Sequence, residues 1–421
     1  MASLARQVAG FISLYCSCSI SSAGGIGGGG LNVPIFLVIF RYSYNEAVIL
    51  SLCTVLGNYV SQVALNWNKR HPADQRRPLI YWDAVLILLP AQLGGGSIGV
   101  IIAKTFPEGL LILVSMVVLA FAGFKSFKKG CKFWRQETLL QLGQSGLHRP
   151  LAAQEVPNLA VAVQQPDSEA MQGEGEAEGE EDETDKADKA DDDDANQESG
   201  GAPTLNLPWV TLRALAIIWI VYACLYTILA IALKLCSAGY WALLATSYVL
   251  LLAAVLWGLG HVAAKQQSHE MCVLEGDIVL TKSCSPGPPV AAFLIGVMCT
   301  TLGIGGGELM GPLLLSLKVL PQVVSATTST MSFINTSSNL VHYALLGEIG
   351  IASFFTFFAI GSVGGISGRF FYLHVSQHYG RPSITVFMLI SVLVLSFWLL
   401  VYHLATEPEQ YSSLSSQYCP K

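Results

Sequence analysis

The stretch SSAGGIGGGGLNVPIF, residues 21–36, decides how this chain is read. Six of the seven residues from Gly24 to Gly30 are glycine, interrupted by Ile26, and the run lies inside a long apolar segment. Each glycine weakens a helix by roughly 1 kcal/mol relative to alanine. A segment that had only to be a membrane helix would have no use for six. Either the backbone breaks there or something approaches it closely.

The stretch has a second copy. Residues Gly25-Ile26-Gly27-Gly28-Gly29-Gly30-Leu31-Asn32-Val33-Pro34 align without gaps on Gly303-Ile304-Gly305-Gly306-Gly307-Glu308-Leu309-Met310-Gly311-Pro312, at a shift of 278. The same shift carries Ser51 onto Ser329. Farther on, LGGGS at 93–97 is similar to VGGIS at 363–367. Each half therefore runs Gly-rich break, proline, polar-bearing helix, small-residue helix. Such a pattern suggests an internally duplicated transporter architecture. Counting each broken segment as a crossing puts six span steps between the copies and makes the repeat parallel; an odd count makes it inverted, and the sequence leaves both open.

Composition agrees with a membrane setting. The 421 residues are 52% hydrophobic and 12% charged, against about 25% charged in soluble domains. Apolar runs long enough to cross a bilayer fall at 8–41, 45–66, 80–103, 109–127, 208–235, 239–262, 288–320, 323–346, 349–373 and 383–403, the first and seventh broken by glycines and open to being re-entrant hairpins. The expected fold is an all-α polytopic membrane protein of about ten spans. Its parts are a first membrane repeat (1–130), a cytosolic acidic linker (131–207), an inserted transmembrane pair (208–262), a loop (263–287), a second repeat (288–403) and a tail (404–421). Residues 155–198 hold 17 of the 29 acidic residues and only Lys186 and Lys189 as bases. That composition predicts disorder. Lys and Arg concentrate at 67–79 and 125–135, so that face is expected to be cytosolic, and an even span count places both termini there.

Gly25-x-Gly27-x-x-Gly30 matches a dinucleotide-binding fingerprint letter by letter, but that motif needs a preceding strand and a βαβ unit. The membrane-length flanks and Glu308 at the last glycine of the second copy argue against it. A broken helix frees backbone N–H groups, whose partial positive charge suits an anion, and glycine lets the ligand approach. Pro34 and Pro312 are expected in the first turn of each following half-helix. The candidate substrate-binding residues are Gly27, Gly28, Gly29, Asn32, Ser51 and Asn58 in the first half. In the second half they are Gly305, Gly306, Gly307, Thr328, Ser329, Asn335 and Asn339. Glu308 and His342 are the candidates for proton coupling. Close helix packing is the plainer reading of Gly94–Gly96 with Gly99, and of Gly361, Gly364, Gly365 and Gly368. No nucleophile–base pair, metal-ligand spacing or cofactor motif is evident, so no enzyme, metal, cofactor or nucleic-acid partner is expected.

The motifs GGIGGGGLNVP and GIGGGELMGP, each with the helix after it, resemble the TauE/SafE family of sulfite exporter-like anion transporters. The resemblance covers roughly 1–130 and 288–403, leaving 208–262 outside. It implies a secondary transporter, exporting a small anion such as sulfite, a sulfonate or a related organic acid. The implied site is Gly25–Gly30 with Pro34 and Gly303–Gly307 with Pro312. Met310 opposite Asn32, and the negative Glu308, depart from a symmetric anion site. The expected partners are the small anion, coupled to protons or to membrane potential, and the lipid bilayer. A homodimer and cytosolic partners of 155–198 remain open. The competing expectation is a membrane scaffold that recruits cytosolic proteins through the acidic loop.

Overall fold

The computed structural model describes residues 2–23, 27–72, 74–144, 207–232, 237–267, 287–317, 319–345, 350–379 and 384–406; most of the acidic linker (145–206) and the C-terminal tail from 407 fall outside these. The described residues are almost entirely helical. In order they form α1 (Ala2–Ala23), α2 (Gly29–Ile35) running into a π-helical turn (Phe36–Phe40), α3 (Tyr44–Asn66), a two-stranded hairpin of β1 (Arg70–His71) and β2 (Asp74–Pro78), α4 (Trp82–Thr105) and α5 (Glu108–Gln144). There follow α6 (Trp209–Ala232), α7 (Ala238–Gln267), α8 (Gly287–Leu302), α9 (Gly306–Ser316), α10 (Pro321–Leu345), α11 (Ile351–Tyr379) and α12 (Ile384–Thr406). Six helices (α3, α4, α5, α6, α7 and α11) are long and apolar enough to cross a membrane. By contrast α10 matches them in length but carries a Ser/Thr/Asn-rich middle. Polar side chains such as Ser51, Asn58, Gln92, Ser332 and Asn339 are buried alongside the apolar core, while large apolar side chains such as Phe121, Ile217, Val249, Leu252 and Phe355 are exposed. This is an integral, multi-pass membrane protein.

Named contacts fix the direction of each helix. At the start of α4 the Tyr81 N–H donates to Thr327 Oγ1 of α10 at 3.0 Å, and at its end the Lys104 ammonium lies 5.8 Å from the Tyr343 ring. So α4 and α10 run side by side in one direction. α6 runs with them, Trp219 bonding Ser338 and Tyr226 packing on His342. α7 runs against α4, with Tyr248 at Ser97 and Lys265 paired to Asp83 at 3.1 Å. α3 and α11 run parallel, Gly57 lying against Phe358 and Gly365 against Asn58 and Ser61. They end where the β-hairpin sits. α5 and α12 oppose each other, Trp134 meeting Phe387 and Gly123 meeting Leu393.

The two glycine-broken segments fold back instead of crossing. α1 runs with α11 (Cys18 at Gly364, Ser19 at Gly368), and α2 then returns alongside α1 until the Phe40 ring covers Gly10. α8 runs with α4 (Gly95 at Phe293, Thr301 Oγ1 donating to the Gly99 carbonyl at 3.1 Å). α9 returns, so that Gln92 is flanked by Gly296 on the way in and Gly306 on the way out. The first fold-back enters from the end opposite the β-hairpin and the second from the hairpin end. Counting both segments as crossings put the termini on the face of loop 67–79, whereas the start of α1 and the end of α12 lie at the other end. Hydropathy has no sense of direction, so a folded-back segment and a crossing read alike.

Local chemistry explains the element ends. α3 starts on a capping box, Ser43 and Glu46 exchanging side-chain and backbone bonds. Pro34 and Pro312 lie deeper than the first turn, inside α2 and α9. Proline has no N–H to offer the carbonyl four residues back. In α2 that carbonyl is Gly30, and the Ser396 hydroxyl of α12 donates to it instead. The small-residue seams pack closely: Gly95 and Gly99 take α8 backbone, while Gly361 and Gly368 take Thr54 and Ser19 carbonyls.

Candidate functional site

The tips of the two fold-backs meet. Gly28 (φ 83°) and Gly303 (φ 65°) adopt the left-handed conformation that glycine accepts without strain, and they turn the chain into α2 and α9. Gly29 lies against the backbone of Ile304 and Gly305 so closely that no side chain fits between them. Two helix N-termini, each carrying partial positive charge, therefore share one location deep in the protein.

Each tip is completed by groups from outside its own fold-back. The Gly30 N–H donates to Glu308 Oε1 at 2.9 Å, linking the first tip to the second. The Gly307 N–H donates to the Tyr59 hydroxyl of α3 at 3.0 Å, and the Tyr59 ring covers Gly27. The Ser51 hydroxyl, also from α3, lies 3.0 Å from the Gly303 carbonyl and 3.4 Å from that of Gly29.

Side chains around the tips divide unequally. Near the first tip most satisfy one another: Ser17 donates to Asn32 at 2.9 Å, and Asn58 donates to the Cys18 carbonyl at 3.1 Å while accepting from Gln62 at 2.7 Å, with the Ser21 hydroxyl beside Gly28 left without a partner. Near the second tip, buried polar atoms stand without partners. These are both amide atoms of Gln92, the Ser332 hydroxyl and Glu308 Oε2, and beyond them the carbonyl oxygens of Asn335 and Asn339. A Cβ on Gly306 would come within 2.7 Å of Ser332 Oγ and 2.8 Å of Gln92 Nε2, so both side chains reach the first turn of α9. A buried polar group without a partner costs about 1–3 kcal/mol. Several together at a helix N-terminus describe a place built for a polar guest.

Of the residues singled out from sequence, Gly27, Gly28, Gly29, Gly305, Gly306, Gly307, Ser51 and Glu308 converge on the tips. Asn335 and Asn339 face Gly96 one step along the α4–α10 seam, where Asn339 donates to Thr300 at 2.7 Å. Ser329 bonds Gln62 at 2.7 Å. Asn32 and Asn58 are engaged around Cys18. Thr328 bonds back to the Val324 carbonyl of its own helix, and His342 is stacked among Tyr222 and Tyr226 of α6. Sequence reading missed Tyr59, Gln92 and Ser396. Gln92 had a signal, an amide alone in an apolar span two residues before the Gly94–Gly96 run; Tyr59 and Ser396 had none, because only the tertiary fold brings them to the tips.

Residues 5–154 and 204–406 match the family model described as sulfite exporter TauE/SafE. The chain belongs to the sulfite exporter TauE/SafE family. The match runs through α6 and α7, which the motif-based resemblance left outside. Sulfite exporter TauE/SafE family protein 2 of Arabidopsis thaliana is 31% identical over 412 residues, covering 93% of this chain and 82% of the relative. Family protein 5 of the same plant is 30% identical, covering 91% and 79%. No solved structure matches the chain. Family membership places this TauE/SafE protein among membrane transport proteins and apart from enzymes.

Proposed function

We propose that this TauE/SafE protein is a secondary transporter of a small anion, of the size and charge of sulfite, a sulfonate or a short carboxylate, held at the meeting point of the two glycine tips. One observation carries the reading: the N-terminus of α9 lies deep in the protein with the unpartnered Gln92 amide and Ser332 hydroxyl at its first turn. Helix-end amides and neutral hydrogen-bond donors attract an anion without locking it in an ion pair, and glycine admits it to the backbone. The printed names of the relatives speak of sulfite export, which supports the substrate class.

The architecture fits alternating access. A shift of 278 carries α3 onto α10, and the same order of break, return helix and long helices recurs in both halves. With two fold-backs entering from opposite ends, α3–α7 and α10–α12 make eight crossings and the halves are inverted copies. If the basic face is cytosolic, both termini are extracytosolic. The test is uptake of labelled sulfite or a sulfonate by proteoliposomes. Gly306→Val, which pushes a side chain into the space shared by Ser332 and Gln92, should abolish flux while the protein stays folded. Undiminished flux in that variant would remove the tips from the transport path.

A further inference from the structure

Glu308 presents a problem that an anion site must solve. Its carboxylate is buried, one oxygen accepting the Gly30 N–H at 2.9 Å and the other without a partner. The side chain belongs to the first turn of α9, the turn that Gln92 and Ser332 approach. An anion arriving there would face an ionised carboxylate at close range in a buried site. Two such negative charges do not share a buried site; one of them takes a proton. Among the described residues, the groups presented to Glu308 by the packed elements include no compensating base. Tyr59 comes from α3, Cys299 from α8, Gln92 from α4, Ser332 from α10, the Gly30 amide from α2, and Ser396 of α12 is bonded to the Gly30 carbonyl.

We infer that Glu308 is the counter-anion of the unloaded site and that substrate binding is obligatorily coupled to its protonation. In the empty protein the carboxylate occupies the N-terminus of α2, as a bound anion would. A proton from water adds to Oε2, forming an O–H bond there. The neutral acid keeps its bond from Gly30 through Oε1 and offers the new O–H as a donor to the incoming anion. When the anion leaves, the proton dissociates to water on the same side and the carboxylate is restored. One anion and one proton are thus carried together. The inference rests on the transporter reading above and adds its coupling ion and the group that carries it.

The probe is methanesulfonate, whose charge does not change across the assay range, so that any pH dependence belongs to the protein. Full-length protein in detergent should bind it with affinity that weakens about tenfold per pH unit on the alkaline limb, and binding should take up one proton, read in weakly buffered solution. Glu308→Gln, which keeps the oxygen facing Gly30, should flatten the pH profile. The wild-type proton uptake needs no variant and stands even if the substitution fails to fold. Binding at one affinity at every pH, or binding without proton uptake, would overturn the coupling and leave the anion site standing. Failure of the wild type to bind methanesulfonate, sulfite or sulfate at any pH would overturn the site itself, and the coupling with it.

Discussion

The Gly30 N–H and the Glu308 carboxylate, 2.9 Å apart in space and 278 positions apart in sequence, join the two glycine tips. At shift 278, Glu308 is also the residue that replaces Gly30 in the second copy of the motif. The one position where the copies differ in charge is the position that bonds across them.

Space at the tips is tighter than glycine content alone requires. Gly29→Ala would drive a methyl group into the Gly305 backbone, and backbone cannot swing aside as a side chain can. We expect a loss of about 1–3 kcal/mol, seen as a lower unfolding midpoint, together with loss of flux. Gly260→Ala in α7 is the control, since nothing lies within 4 Å of the added atom. It should leave the midpoint unchanged or raise it.

Gln92 separates function from stability. Its amide is buried without a partner, so Gln92→Met, of similar volume, removes an unsatisfied group. The variant should be more stable by about 1 kcal/mol or more and should bind anion at least about tenfold more weakly. Thermal unfolding and methanesulfonate binding, measured on one preparation, check both halves. A variant that gains stability and keeps its affinity would place Gln92 outside the site.

Lys69, in the loop after α3, supplies a pH dependence of stability. Burial first, and then the nearby Arg369 charge, lower its pKa to about 8. A lysine with a depressed folded-state pKa binds its proton more weakly folded than unfolded. The penalty is therefore fully present below about pH 8 and is relieved as pH rises from there toward the unfolded value. Wild-type stability should rise across that window, and Lys69→Met should be more stable at neutral pH with the rise diminished. Denaturant midpoints at a series of pH values give the answer.

Topology can be read directly. Tags at the N- and C-termini should be reached from the side of the membrane opposite loop 67–79. Antibody labelling of intact and permeabilised cells distinguishes the sides. Labelling of all three from one side would mean that both glycine-broken segments cross after all.

Much of the fold was legible. Helix positions followed from apolar runs and from prolines, and the sequence spans 45–66, 80–103 and 323–346 lie within a few residues of α3, α4 and α10. The breaks were legible because a run of glycines weakens a helix, and Gly28 and Gly303 do turn there with positive φ. The fold-backs were legible only as an alternative to crossings, since a return helix is as apolar as a crossing one. Pro34 misled: its place in α2 depends on Ser396, 362 residues later, taking over the carbonyl that the ring abandons. Among the candidate side chains, composition could not separate Asn58, whose amide is engaged by Cys18 and Gln62, from Asn339, whose carbonyl oxygen has no partner.

Because each fold-back returns to the side it came from, no main chain ties one tip to the other across their contact. The bonds from Gly30 to Glu308, Gly307 to Tyr59 and Ser51 to Gly303 are what stitch that contact. The molecule thus has a parting line, running through its centre between two loops anchored on opposite shores. Separating the two loops along that line would break these bonds and the Ser329–Gln62 bond, and would open the apolar cluster that Leu302 and Ile304 share with Leu31 and Val33, without unwinding a helix.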